Sequence, residues 1–105
     1  MLQSTNTIQN QTLLAKITVI EPWLIEIRRD FHRHPELGMA EFRTSKKIAG
    51  LLEDLGISHR TGVANTGIVG IIEGGKPGKT VALRADMDAL PIPEETGLSY
   101  ASEIE

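Results

Sequence analysis

Two aspartates carry the sharpest chemical signal in this sequence. Asp86 and Asp88 lie in Arg84-Ala85-Asp86-Met87-Asp88-Ala89-Leu90-Pro91, directly after the apolar run Thr80 to Ala85. In an extended chain, side chains at i and i+2 point the same way, and the C-terminal ends of strands are where α/β folds place ligands. Such a pair suits a divalent metal, by direct ligation or by orienting a histidine that ligates it. It suits the capping of a loop equally well, since two carboxylates do not make a site. His32 and His34 invite the same question. If His32 is helical, a step of two residues rotates the next side chain by about 200°, so the pair cannot share a face. Their plainer reading is as polar residues ending a helix, with His32 and Arg33 favourable at its negative end. His59 falls on an alternating segment beside Arg60 and reads as solvated. Arg28, Arg29 and Arg33 are interleaved with Glu26, Asp30 and Glu36, which is the pattern of a solvated helix face. The glycine-rich stretch Gly74 to Gly78 lacks the phosphate-loop form and opens no helix.

The elements that would position these groups follow from composition and periodicity. The chain has 105 residues, 14 acidic and 11 basic, for a net charge of −3, with three histidines and no cysteine. That is one domain at most. A hydrophobic content of 40% and a charged content of 24% exclude wholesale disorder. Disulfides, thiolate nucleophiles and cysteine zinc sites are excluded within the chain. The only aromatics are Trp23, Phe31, Phe42 and Tyr100, and the pI is about 5.6, so a nucleic-acid partner is not expected. Residues 1–15 are uncharged and lack the basic start of a signal peptide. No stretch approaches the roughly 20 apolar residues of a membrane span. The expectation is a soluble, cytoplasmic protein with no membrane partner.

Ile17, Ile20, Leu24, Ile27 and Phe31 recur at three- and four-residue steps and predict an amphipathic helix ending near Arg33, because His34 precedes a proline. Pro22 predicts either a helix start at Glu21-Pro22 or a kink there, with residues 1–20 a polar, partly frayed lead-in. A second helix is predicted from Ala40 to Leu55, with Gly56 as its stop. Strands are predicted over Ile57 to Val63, Gly67 to Glu73 and Thr80 to Ala85, with Asn65-Thr66-Gly67 as a turn. The last two, joined by the glycine-rich stretch, are expected to pair antiparallel. The order is α-α-β-β-β followed by an irregular tail, and two helices leave such a sheet incompletely covered. The chain reads as truncated.

Taken together, Ile27 to Gly38 (IRRDFHRHPELG), Phe42 to Ser45 (FRTS), Thr66 to Gly70 (TGIVG) and Ala82 to Ile92 (ALRADMDALPI) resemble the start of an M20-family metallopeptidase. The similarity runs from about Pro22 to the last residue and points to the amidohydrolase branch, with N-acyl-amino-acid, hippurate and auxin-conjugate hydrolases. The resemblance implies an α/β fold, the N-terminal α-α-β-β-β portion of a two-metal catalytic domain, incomplete over residues 21–105. It implies hydrolysis of N-acyl amino acids to a carboxylic acid and an amino acid, assisted by two divalent ions (Mn, Zn, Co or Ni) about 3.5–4 Å apart that activate a water and polarise the amide. In that branch the metals are held by a His-x-Cys-Gly-His-Asp motif, a Glu and further His residues, and a neighbouring Glu is the general base. All of these lie beyond the segment resembling Leu98 to Glu105, which accounts for the missing cysteine.

Related branches carry a ligating His and an orienting Asp where this chain has Asp86 and Asp88. The resemblance therefore implies that Asp88 supports a ligand, that Asp86 lies near the metals in an unassigned role, and that this chain contains no catalytic residue and no direct metal ligand. His32 and His34 keep their structural reading. The 105-residue chain is expected to bind no metal and to be inactive alone, and a homo-oligomer is expected. Two alternatives compete with the enzyme fragment. One is a small noncatalytic α+β interaction module or decayed gene product, and the other a metal-binding module using Asp86, Asp88 and a histidine.

Overall fold

The computed structural model describes residues 2–104, with side chains described from Gln9 onward. Its elements are α1 (Leu2–Arg33), α2 (Phe42–Asp54), β1 (Ser58–Val63) and β2 (Gly67–Ile71). Helix α1 is continuous through Pro22, so it does not start at Glu21-Pro22, and the lead-in is helical from Leu2. A proline removes one i→i−4 bond and crowds the preceding turn, yet the bonds on either side propagate cooperatively. Just before it, Thr18 Oγ1 donates to the Leu14 carbonyl at 2.8 Å. The helix stops where His34-Pro35 predicts, with a last tightened turn in which the His34 amide donates to Phe31 O.

Helix α2 ends in a Schellman motif. Gly56 takes φ +68°, its amide donates to Glu53 O, and the Ile57 amide reaches back to Leu52 O, both at 2.9 Å. β1 and β2 then pair antiparallel with Arg60 opposite Val69, and an irregularity lies between Arg60 and Val63. The connecting turn holds Ala64 and Asn65 at positive φ (49° and 83°), the geometry that suits the right-handed twist of a hairpin. A Cβ on Gly67 would lie 2.5 Å from Val63 O, so the hairpin closes only with glycine there.

The third strand is a correction to the sequence reading. Residues 80–85 form no ladder, and β2 pairs with β1 instead. The apolar run is real, but a strand exists only through its partner, and here Val81 and Leu83 are 83% and 97% exposed. Two helices and a two-stranded sheet remain, within the expected α/β class. Among the described residues no apolar side chain is buried; the buried ones are Glu41, Thr44 and Thr66. Those three sit where the start of α2 meets the hairpin turn. Glu41 accepts from Thr66 Oγ1 at 2.8 Å and from the Ala40 amide at 3.0 Å, while Asn65 Nδ2 donates to Met39 O at 2.9 Å.

Candidate functional site

The polar end of α1 organises a cluster of titratable groups. From the loop after α1, the Glu36 carboxylate reaches the start of α2 and accepts from the Arg43 amide (3.0 Å), the Thr44 amide (2.6 Å) and Thr44 Oγ1 (2.7 Å). A helix leaves its first amides without partners. Glu36 satisfies two of them while placing negative charge at the positive end, in the place of Glu41, whose side chain makes no cap bond. Burial pushes the Glu36 carboxyl upward, and the bonds from Thr44 and Arg43 outweigh it, leaving it below its ordinary range. Arg43 Nη2 donates to both Asp30 oxygens at 2.9 and 3.0 Å, tying α2 to α1. That bond holds the Asp30 carboxyl low against an opposing effect of burial.

Residues 89–104 return to the same end of α1. The Ala89 amide donates to Glu36 O and the Glu103 amide to Arg33 O, both at 2.8 Å. His32 Nε2 donates to Glu94 Oε1 at 2.8 Å, an oxygen that also accepts from the Ser102 amide at 2.9 Å, while Glu94 Oε2 accepts from Thr96 Oγ1. The Thr96 bond, followed by those from Ser102 and His32, lowers the Glu94 carboxyl below its usual value. Tyr100 lies under the Arg29 guanidinium, 4.3 Å from ring centroid to Cζ, and edge-on to His32 at 5.6 Å. His34 Nδ1 donates to Asp30 O at 2.9 Å, and its Nε2 lies 3.3 Å from Glu103 Oε2.

Between this strap and the α2–β2 face lies an open cleft of about 1210 Å³, lined by apolar groups such as Phe31, Ile48, Leu52, Ile68, Met87 and Ile92. Asp86 and Asp88 stand at its edge. Asp86 is exposed and paired with Arg84 Nε at 3.2 Å. Asp88 is exposed too, with Oδ2 3.5 Å from where a Cβ on Gly38 would stand. Among the described residues no three His, Asp or Glu side chains converge as a metal centre requires. The residues present do not by themselves fit a two-metal site. His59 lies apart from the cluster, with Nδ1 donating to Ile57 O at 2.8 Å. The structure also brings in Glu36, Glu94 and Tyr100, which sequence reasoning did not single out. The only sign of Glu94 in the sequence is the turn composition Glu94-Glu95-Thr96-Gly97.

No protein-family model matches the chain. Its fold superposes on the crystal structure of the Bacillus subtilis YXEP protein, described as a dinuclear metal binding peptidase from the M20 family, with TM-score 0.78 and 42% identity over 84% of this chain and 25% of that one. The chain belongs to the M20 family and matches its N-terminal part. Curated relatives agree with this M20 assignment. Thermostable carboxypeptidase 1 of Saccharolobus solfataricus is 53% identical over 95 residues, 90% of this chain and 24% of its own length. IAA-amino acid hydrolase ILR1-like 2 of Arabidopsis thaliana is 47% identical over 103 residues, 97% of this chain and 23% of its own. N-acetyl-L-cysteine deacetylase of Bacillus subtilis is 42% identical over 97 residues, 92% and 23%. The M20 segment thus spans about a quarter of the length of the relatives it matches.

Proposed function

We propose that this chain is the N-terminal part of a metal-dependent amidohydrolase that cleaves the amide bond of an N-acyl amino acid, giving a carboxylic acid and a free amino acid. The observation that carries the reading is the 42–53% identity to relatives named as a carboxypeptidase, an IAA-amino acid hydrolase and an N-acetyl-L-cysteine deacetylase. What those names share is an amide whose nitrogen belongs to an amino acid. Divalent ions (Mn, Zn, Co or Ni) bound to residues beyond this segment would polarise that amide and acidify a water. Within this chain, Asp88 is the carboxylate placed to support such a centre, and Asp86 lies beside it. The Ala89 to Glu36 bond holds the backbone next to Asp88 against the loop that caps α2. The chain's own work is positional: the 105 residues set the floor of the cleft and present the Asp86–Asp88 segment at its edge. A cytoplasmic location accords with the same reading.

The test has two arms. The open reading frame containing this chain is expressed, and amino-acid release from N-acetyl, N-benzoyl and N-indoleacetyl amino acids is measured with and without chelator. Release that chelation abolishes is the expected result, and no release from any of the three classes overturns the substrate assignment. The 105-residue chain alone is assayed in the same way. It is expected to release nothing, and metal-dependent release would show that it carries a site of its own.

A further inference from the structure

His34 follows the last residue of α1, and both of its ring nitrogens face acceptors. Nδ1 lies 2.9 Å from the Asp30 carbonyl oxygen, one of those that a helix end leaves without a partner. Nε2 lies 3.3 Å from Glu103 Oε2 on the strap at residues 89–104. A carbonyl oxygen can only accept, so Nδ1 carries a hydrogen. A neutral imidazole has a single N–H, and with that one at Nδ1 the lone pair of Nε2 faces the Glu103 carboxylate. The imidazolium, with an N–H on each nitrogen, satisfies both sides at once, and the negative end of α1 favours the same charge. Other charged groups surround the ring. The Asp30 carboxylate lies 3.6 Å from Nδ1, but Arg43 of α2 engages both of its oxygens and Lys47 acts on the same group. Glu36 is occupied by the amides of α2, and Arg33 precedes the ring in sequence. The anion that faces Nε2 is therefore Glu103.

His32 holds the strap differently. Its Nε2 donates to Glu94 Oε1 at 2.8 Å, and a neutral ring with its hydrogen on Nε2 makes that bond as well as a charged one does in geometry. One attachment of the strap thus survives deprotonation, and the other needs a second proton. We propose that His34 is a proton-operated latch: protonated, it ties the Asp30 carbonyl of α1 to the Glu103 carboxylate of the strap, and loss of its proton frees that end of the strap. The strap walls the cleft through Ile92, Glu94, Ser102 and Ile104, so the latch governs how firmly the cleft is closed beside Asp86 and Asp88. The sign follows from the chemistry. The His34 contact is present at low pH and is lost as pH rises through the range in which histidine titrates.

The Glu103 amide, which donates to Arg33 O, reports the latch. Its hydrogen-exchange protection, corrected for the intrinsic rate at each pH, is expected to fall about threefold between about pH 5.5 and about pH 8. The amides of Ala89, at the other end of the strap, and Ile57, at the end of α2, are expected to keep theirs. In Glu103→Gln the fall should vanish, because a carboxamide accepts from the charged ring and donates to the neutral one. In His32→Gln it should persist. Protection at Glu103 that is flat or rises with pH would overturn the proposal, as would a fall of wild-type size in Glu103→Gln. A fall shared equally by Ala89 and Ile57 would overturn it in favour of unfolding of the whole chain, and a fall abolished by His32→Gln would move the switch to His32.

Discussion

Glu36 shows how one side chain can do the work of a capping residue from outside the helix. Its carboxylate takes the Arg43 and Thr44 amides that α2 cannot satisfy internally, and bonds to a charged acceptor are the stronger kind. Glu36→Ala is therefore expected to cost about 1–2 kcal/mol at neutral pH. The pH dependence has a definite sign. The folded chain holds Glu36 below its ordinary 4.5, so its contribution is present above that value and is lost as pH falls through the lowered folded value. Asp30, held below 3.8 chiefly by Arg43, loses its contribution in the same direction. Urea unfolding followed by circular dichroism should show wild type and Glu36→Ala differing at pH 7, with the gap narrowing as pH falls below 4.5. A gap of constant size across that range would mean that the loop geometry, and not the carboxylate charge, stabilises α2.

At the scale of elements, the strap is held by groups far apart in sequence, and one substitution should loosen it. Glu94 gathers His32, Thr96 and Ser102 on its two oxygens, while Tyr100 rests under Arg29. Glu94→Gln removes the charge that strengthens all three bonds, so amide hydrogen exchange at Ser102 and Glu103 should accelerate about tenfold. The amides of Leu55 and Ile57 at the end of α2 should be unchanged, and if they accelerate equally the strap and α2 unfold as one unit. What was legible in the sequence divides along the same line. The stop at His34-Pro35, the Gly56 cap and the hairpin turn were readable because each is set by local backbone chemistry. The third strand was not, because a ladder needs a neighbour that residues 80–85 do not meet here. At the candidate site, Asp86 and Asp88 were visible as a motif, and no spacing could reveal that Glu36 caps a helix beginning six residues later or that Glu94 meets His32. Those partnerships exist only once the chain has turned back on itself.

For the whole molecule the decisive quantity is surface. A folded monomer of this mass exposes about 5800 Å², whereas this chain exposes 9140 Å². Its radius of gyration is 17.3 Å, against about 13 Å for a compact chain of this length. Folding here gathers polar clusters at the end of α1 and the start of α2, and it leaves apolar surface exposed on α1, on β2 and in the cleft. The same openness governs metal binding. A divalent ion needs several converging donors, and among the described residues no three His, Asp or Glu side chains converge, Asp86 being 71% exposed and paired with Arg84, and Asp88 exposed. Desolvating an ion at two carboxylates on an exposed segment also has to overcome the freedom of that segment. Calorimetric titration of Mn²⁺, Zn²⁺ and Co²⁺ into the folded 105-residue chain should therefore show no binding tighter than about millimolar. Stoichiometric micromolar binding lost in Asp86→Ala or Asp88→Ala would mean that the cleft edge draws a further ligand inward on binding, for example from the His32–Glu94 pair that lines the same cleft. In that case the strap would exchange faster when metal is present, whereas a site built from the two aspartates alone would leave it unchanged.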